Sequence, residues 1–257
     1  DLAPRELLNY TYLSRPGRRG TRSLDHLAYN IMSDRRIHKA ARRADLDALR
    51  RELAKGVSPN ASGQYGRTPL HCVCRRAGNT KARVACVPML LQAGADVNAP
   101  DADQYIPLHF AARQSNAIVV AALLEAGADV NRGDAYGQTP LHLVWHSIEV
   151  GSALLLLRHG AAVNAQDDSG RTPLSNASYI DSESRRRLVP ILLRAGAALP
   201  AHTTNAYLQK VIAAGGFGRY ERNHLDALAA TFAPHFSHLP PEIVRLVVEY
   251  AFHAGYY

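Results

Sequence analysis

Residues that would point to secretion or to a membrane are scarce in this sequence. Its 257 residues include three cysteines, Cys72, Cys74 and Cys86, which form no even-numbered disulfide framework. No stretch approaches the roughly 20 apolar residues that a membrane span requires. We therefore expect free thiols, no transmembrane helix, and a reducing cytoplasmic or nuclear compartment.

The sequence also lacks an initiator methionine and a charged-then-apolar leader, since it opens at Asp1. We therefore expect a fragment of a longer chain and not a secretory precursor. Hydrophobic residues make up 47% and charged residues 20%. This composition is typical of a folded chain with a sizeable core.

Lysine is rare, although the chain is basic. Only four of the 30 basic side chains are lysines, and with 22 acidic residues the net charge is +8. Arginine predominates, and its planar guanidinium binds carboxylate or phosphate through two parallel hydrogen bonds. The composition therefore favours a partner with acidic or phosphorylated groups, while no recognition helix or RNA-binding signature accompanies the charge to indicate nucleic acid.

Motifs for catalysis and metal binding are missing. The sequence contains neither Gly-x-Ser-x-Gly nor His-Glu-x-x-His. The Gly215–Gly218 run lacks the lysine of a phosphate-binding loop, so it predicts a helix stop. His71 and the three cysteines lack the usual Cys-x-x-Cys spacing of a zinc site, and they are expected in a helical core. We predict a protein without enzymatic activity, metal or cofactor.

Two short sequence words recur along the chain with a fixed period. The first occupies Thr68–His71, Ile106–His109, Thr139–His142 and Thr172–Ser175, with prolines 38, 33 and 33 residues apart. The second occupies Leu90–Asn98, Leu123–Asn131, Leu156–Asn164 and Leu192–Ala197, with glycines 33, 33 and 36 residues apart. Degenerate copies stand at Ile37–Ala41 and Leu53–Asn60. Two words that keep phase over so many units indicate a repeat protein.

These words resemble the ankyrin repeat, in which a turn precedes two antiparallel helices. The resemblance implies an all-α solenoid of about five repeats over residues 35–202. Threonine is expected to cap each first helix with proline in its first turn, and glycine to end each second helix. His71, His109 and His142 are too far apart to share a metal, so each is expected to bond the backbone of a neighbouring turn.

Two repeats are longer than the period, and in both the extra residues precede a Val-Pro word. Because proline belongs in the first turn of a helix, we expect the second helices of these repeats to start late, close to Pro88 and Pro190. The inserted residues 79–83 and 181–187 are then expected to be exposed loops.

The ankyrin register also places candidate substrate-binding side chains. In such stacks partners usually contact the turn tips and the concave face of the first helices. On the turns this register selects Tyr65, Arg67, Asp103, Tyr105, Tyr136, Gln138 and Arg171. On the helices it selects Arg42, Arg43, Arg75, Arg76, Arg113, Gln114, His146 and Tyr179. Because arginines stand beside aromatic residues, we interpret this surface as a binding site for an acidic peptide and not as a face that is only solvated.

The chain continues after the repeats with a predicted three-helix box over residues 203–257. Its helices are expected at 204–214, 221–232 and 240–254, delimited by glycine and proline. The last helix is too apolar to be solvated all round, so the last repeat or another protein should cover it.

This box, with its Leu-Pro word, resembles the SOCS box of the ankyrin repeat and SOCS box family. The resemblance implies an adaptor that holds a substrate on its repeats and recruits elongin B/C and a cullin for ubiquitin transfer. The corresponding residues of this chain are Leu208, Val211, Ile212, Leu239, Pro240, Pro241, Ile243 and Val247. The sequence departs from the family at Ile212, where a cysteine is usual, and in lacking the basic pair that follows.

Two alternatives remain open for the box. The segment from Leu239 to Ile243 also resembles the opening of an F-box, and ankyrin proteins of poxviruses end in a truncated F-box, which would imply a different linker protein. The helices could instead only cap the solenoid of a scaffold or inhibitor. At the other end, residues 1–34 predict a basic linker and a helix at 23–32 that caps the first repeat.

Overall fold

The computed structural model describes residues 36–76, 81–114, 116–144, 150–178, 183–201, 203–236 and 240–253, which belong to one compact unit. The predicted helix at 23–32 lies outside the described residues. Thirteen α-helices and no strand occur within these ranges. The predicted all-α architecture is therefore confirmed.

Ten of these helices form five antiparallel pairs. In chain order the pairs are α1 (Arg36–Arg43) with α2 (Leu46–Ala54), α3 (Pro69–Cys74) with α4 (Lys81–Gln92), α5 (Pro107–Arg113) with α6 (Ala117–Glu125), α7 (Pro140–Leu143) with α8 (Gly151–Arg158), and α9 (Pro173–Ser178) with α10 (Glu183–Arg194). The odd-numbered, inner helices pack side by side in sequence order, as do the outer helices α2, α4, α6 and α8. The result is a solenoid of five repeats.

A continuous hydrophobic core runs through the repeats. The inner helices α3, α5, α7 and α9 each begin with proline, where the missing N–H costs no intrahelical bond, and the leucine that follows is at most 1% exposed. Each outer helix of the repeats ends close to a glycine of positive φ, for example Gly127 at +84°. The proline of the first word therefore starts each of these inner helices, and the glycine of the second word ends each outer helix, as the sequence predicted.

The second helices of the two long repeats do not start late, contrary to the expectation. Both α4 and α10 have 12 residues, against nine in α6, and the prolines Pro88 and Pro190 lie inside them. Inserted residues 81–83 and 183–187 are therefore helical and not loops, whereas 79–80 and 181–182 lie outside the described residues. In α4 the insertion is stabilised by Arg83, which is 7% exposed and donates to the Val73 carbonyl at 2.8 Å. Pro88 has no N–H and therefore cannot donate a hydrogen bond within α4. The additional helical turn that contains Arg83 offsets this loss.

The C-terminal helices are α11 (Ala206–Ala213), α12 (Phe217–Phe232) and α13 (Pro241–His253), with a 3₁₀ turn over Ala233–Phe236. The start of α12 was expected at residue 221, which is wrong by one helical turn. Gly215 and Gly216 have φ of +79° and +110°. They turn the chain within two residues, so the next helix begins at once.

The core of the repeats extends into this C-terminal region. Leu208 and Val211 of α11 are fully buried in the main core, and Phe217 packs against it. The second half of α12 and helix α13 instead share a small separate cluster around Leu225 and Val244. The three helices thus divide their packing between the last repeat and each other.

Candidate functional site

Histidine side chains fasten each repeat to the next. The Nδ1 atom of His71 accepts from the Thr68 amide at 3.1 Å, and its Nε2 donates to the Tyr105 carbonyl of the following turn at 2.9 Å. The Thr68 hydroxyl lies 2.9 Å from the same Nδ1, and the side chains of Thr68 and His71 together form a capping box at the start of the helix. The expected threonine cap is therefore part of a capping box to which the histidine contributes the second half.

The same contacts recur along the stack. His109 and His142 donate to the carbonyls of Gln138 and Arg171, each at 3.0 Å. Burial lowers the pKa of both rings, and lowers that of His71 to about 4. The rings are thus neutral at pH 7, and the prediction that these histidines bond neighbouring turns is confirmed.

The turns that join the repeats are closed by aspartate. Oδ1 of Asp134 accepts from the amides of Tyr136 and Gln138 at 2.8 and 2.9 Å. Asp101 and Asp167 repeat this arrangement. Such turns fix the backbone and leave their tips to solvent, so they are suited to present side chains to a partner.

A ladder of asparagines, which the sequence analysis did not identify, joins the far ends of the outer helices. Asn98 donates to the Gly127 carbonyl at 3.1 Å and accepts from the Asp129 amide at 2.8 Å. Asn60, Asn131 and Asn164 make the same paired bonds. The signal was the asparagine that ends every copy of the second word except the last.

Arginines concentrate on the inner helices of the first three repeats. Arg43, Arg75 and Arg76 are exposed, whereas Arg42 and Arg113 are half-buried. None of the segments 36–43, 69–76 and 107–114 contains an acidic residue. This face therefore carries concentrated positive charge, which favours an acidic ligand.

Two of the predicted turn residues serve the stack itself. Arg67 donates to Asp101 at 3.1 Å, and its guanidinium carbon lies 5.0 Å from the Tyr65 ring centre and 5.1 Å from that of Phe110. Tyr105 is only 6% exposed because its ring packs against those of His109 and Phe110. The placement of Tyr105 on a contact surface is therefore corrected.

The remaining predicted turn residues are accessible to different extents. Asp103 and Tyr136 are exposed, and Tyr65 is half-buried. Gln114 and Gln138 are half-buried. Exposed Arg171 is paired with Asp167 at 2.9 Å. Predicted positions His146, Tyr179 and Leu239 lie outside the described residues.

The predicted ligase-binding residues separate into two groups. Leu208 and Val211 are 0% exposed. In this conformation they fill the repeat core, so their assignment to a partner surface is corrected. Ile212, Ile243 and Val247 are 40%, 41% and 47% exposed, and Pro240 and Pro241 are also exposed.

Helix α13 presents two distinct apolar faces. Val244 and Val248 are 3% exposed and pack towards α12. Ile243, Leu246 and Val247 face solvent, with Leu246 at 59% exposure. Residues three and four positions apart share one side of a helix, so these three form a single apolar stripe, to which the sequence analysis did not assign Leu246.

The three cysteines are buried and are not joined in disulfides. Burial raises the pKa of the Cys74 thiol, which therefore stays protonated. In the described ranges no three His, Cys, Asp or Glu side chains stand together as metal ligands would. Across the same ranges, no helix combines the length and apolarity needed to cross a membrane.

Curated proteins that resemble the chain match about a third of it. It is 39% identical over 82 residues to human inversin and 39% identical over 77 residues to human ankyrin repeat and SOCS box protein 16. It is 38% identical over 86 residues to ankyrin repeat and SOCS box protein 11 of Pongo abelii. These stretches cover 31%, 30% and 33% of the chain, but only 7%, 16% and 24% of the respective relatives.

Models of known families match a longer part of the chain. Three ankyrin repeats match residues 37–134, and a further ankyrin repeat matches residues 136–168. The two matches together cover about half of the sequence and agree with the helix pairs from α1 to α8. Ankyrin repeats are a protein-interaction fold. The chain therefore belongs to the ankyrin repeat family.

Proposed function

We propose that the protein is the substrate-recognition adaptor of a cullin-based ubiquitin ligase. Its repeats, over residues 35–202, hold an acidic protein substrate, and its C-terminal box, over residues 203–257, recruits elongin B/C and a cullin. The observation that carries the proposal is the exposed apolar stripe of Ile243, Leu246 and Val247. A solvent-facing stripe of this kind on a helix is typical of a protein contact.

Two further observations support the ligase contact. Pro240 and Pro241 of the Leu-Pro word are exposed and stand two and one residues before Glu242 and the stripe. Two of the relatives are named ankyrin repeat and SOCS box proteins, although the matches cover a third of this chain or less. The contact surface on the box is then Ile212, Pro240, Pro241, Ile243, Leu246 and Val247.

The substrate surface is the arginine-rich face of the inner helices. Its exposed guanidinium groups are suited to carboxylates, and the exposed ring of Tyr136 adds apolar contact at a turn tip. An adaptor of this kind needs no active site of its own, because the ligase supplies the ubiquitin-transfer chemistry. We therefore assign no catalytic residue, metal or cofactor to the chain.

One observation favours a competing function, that of a scaffold or inhibitor without ligase contacts. The leading leucine of the box, Leu208, is buried with Val211 in the repeat core. Helix α11 thereby covers the end of the solenoid, as a terminal cap does. In that case the stripe on α13 would meet some other protein.

A direct binding titration separates these possibilities. The purified chain is immobilised and titrated by biolayer interferometry with elongin B/C and, separately, with a Skp-type linker. The double variant Ile243→Glu/Val247→Glu is compared with Ile118→Glu, because Ile118 is a 50% exposed isoleucine of α6, outside the box. We expect elongin B/C to bind the native chain and the Ile118 variant, but not the double variant.

Other results would redirect or overturn the proposal. Binding of the Skp-type linker in place of elongin B/C would support the F-box-like alternative. Binding of neither linker to well-folded protein would overturn the ligase function and leave the scaffold.

A further inference from the structure

The inner helices place an arginine at the same register in three successive repeats. Arg42, Arg75 and Arg113 each stand four residues after a histidine of the series that fastens the repeats, His38, His71 and His109. One helical turn separates each arginine from its histidine. We call Arg42, Arg75 and Arg113 the arginine row.

The spacing of the row follows from helix packing. Helix α1 packs against α3, and α3 against α5. Axes of packed helices lie about 8–10 Å apart, so neighbouring arginines of the row repeat at about that distance. A ligand that pairs with all three must therefore carry its negative groups at the same interval.

Few peptide conformations match this interval. In a β-strand, side chains on one face recur every two residues, at about 6.6 Å, which is too short. In an α-helix, residues one turn apart rise by about 5.4 Å, which is too short, and residues two turns apart by about 10.8 Å, which is too long. A polyproline II segment has three residues per turn and rises by about 3.1 Å per residue, so every third side chain recurs on one side at about 9.3 Å.

We infer that the arginine row binds a polyproline II segment with an acidic side chain at every third position. This inference rests on the proposed function, since it specifies the acidic substrate of the adaptor. The row predicts three acidic residues and no more, because the next two repeats have His146 and Tyr179 at the equivalent positions. Arg43 and Arg76 stand one residue beyond the row and add exposed charge beside it.

The surroundings of the row favour a peptide over a nucleic acid. The turn tips carry exposed Asp103 and Asp168, which would repel a continuous polyanion that extended across them. Tyr105 and Phe110 are 6% exposed, so their rings are not available for base stacking. A peptide with separated acidic groups meets neither obstacle.

Two nonapeptides of equal composition test the spacing. One is fluorescein-labelled (Glu-Pro-Pro)₃ and the other is Pro₃-Glu₃-Pro₃, so that charge and proline content are the same. Fluorescence polarisation with the full chain in 50 mM NaCl should show binding about tenfold tighter for the peptide with every third residue acidic, as expected for three solvent-accessible charge pairs instead of one.

Matched variants of the protein locate the site. The triple variant Arg42→Ser/Arg75→Ser/Arg113→Ser should abolish the preference for (Glu-Pro-Pro)₃. The control Arg50→Ser/Arg132→Ser/Arg158→Ser removes the same charge from exposed positions outside the inner helices, and should keep it. Thermal unfolding of both variants verifies that the solenoid is folded before binding is compared.

Three outcomes would overturn the inference. These are equal affinity for the two peptides, equal loss of the preference in both triple variants, and tighter binding of a single-stranded oligonucleotide than of (Glu-Pro-Pro)₃. Elongin B/C binding is measured on the same proteins. If the native chain shows no peptide preference but binds elongin B/C, only the peptide inference is contradicted. If the native chain shows the preference but does not bind elongin B/C, the adaptor function is contradicted and the peptide site stands.

Discussion

The histidines that join the repeats make the stability of the protein depend on pH. His71 is fully buried, and burial lowers its pKa from 6.5 to about 4. Between these values the unfolded chain binds a proton that the folded chain does not, so the free energy of unfolding decreases as the pH falls. At pH 5 we expect the buried His71 alone to make the free energy of unfolding about 2 kcal/mol smaller than at pH 7.5. His109 and His142 should lower it further.

Urea unfolding at the two pH values measures this loss. The variant His71→Gln should be less stable at pH 7.5 but lose less on acidification, whereas His159→Gln, at an exposed histidine, should keep the native pH dependence. Identical pH dependence in His71→Gln and the native chain would contradict the account of the buried ring.

A glycine of the fourth repeat tests the close approach of neighbouring turns. Gly137 has φ of +72°, and a Cβ there would lie 2.7 Å from Asp168 Oδ1 and 3.1 Å from the Asp168 amide nitrogen. Gly56 has φ of +79° but no atom within 4 Å of such a Cβ. Gly56→Ala should therefore cost about 1 kcal/mol of stability and Gly137→Ala about 2–3 kcal/mol. Equal losses in chemical denaturation would show that the neighbouring turn accommodates the methyl group.

At the same scale, the sequence predicted the role of the histidines but not that of Tyr105. The recurring Pro-Leu-His word reveals a repeated contact, because repeats impose equivalent surroundings on equivalent residues. The burial of Tyr105 depends on which rings surround it, here those of His109 and Phe110. The position of Tyr105 within the repeat does not reveal which rings will surround it.

At the scale of the element, the long second helix of repeat 2 depends on a buried arginine. Arg83 donates to Val73 O at 2.8 Å and lies 3.5 Å from Arg42 O, close to the ends of α3 and α1. Removing it leaves carbonyl groups at these helix ends without this donor, so Arg83→Ala should cost about 2–3 kcal/mol. Arg50→Ala, at an exposed arginine, should cost under about 0.5 kcal/mol. Comparable losses of the two variants in urea unfolding would contradict a capping role for Arg83.

Helix boundaries were predictable where the two repeat words specify them and not where the period is broken. The prolines of the Pro-Leu-His words start helices, as expected from their missing N–H. Pro88 departs from this preference because it lies inside α4. The hydrogen bond from Arg83 to the Val73 carbonyl compensates for the missing N–H at that position. Such long-range compensation is invisible to local propensity.

At the scale of the whole molecule, the division of packing in the C-terminal region predicts how truncation affects stability. A chain that ends at residue 216 keeps Leu208 and Val211 in the repeat core, whereas one that ends at residue 201 loses both. The second truncation should cost about 3–5 kcal/mol more, because it removes two fully buried side chains. Equal melting temperatures by circular dichroism would instead support an independent box that starts at residue 203.

The sequence predicted the solenoid better than it predicted the surfaces. Repeat words encode the core directly, because each recurring leucine or glycine has the same structural task. Whether Leu208 faces a partner or the last repeat depends on docking between segments, for which α11 carries no repeated signal. The exposed stripe of α13 was predictable only in part, since Leu246 lacks the motif that singled out Ile243.

The most direct test of the adaptor function compares three forms of the tagged full chain in affinity purification from cells with quantitative mass spectrometry. The forms are the native chain, Ile243→Glu/Val247→Glu, and Arg42→Ser/Arg75→Ser/Arg113→Ser. We predict that the native chain retains elongins, a cullin and substrate proteins. The first variant should lose only the ligase components and the second only the substrates. Equal recovery of ligase components with the Ile243/Val247 variant, or none with the native chain, would contradict the account.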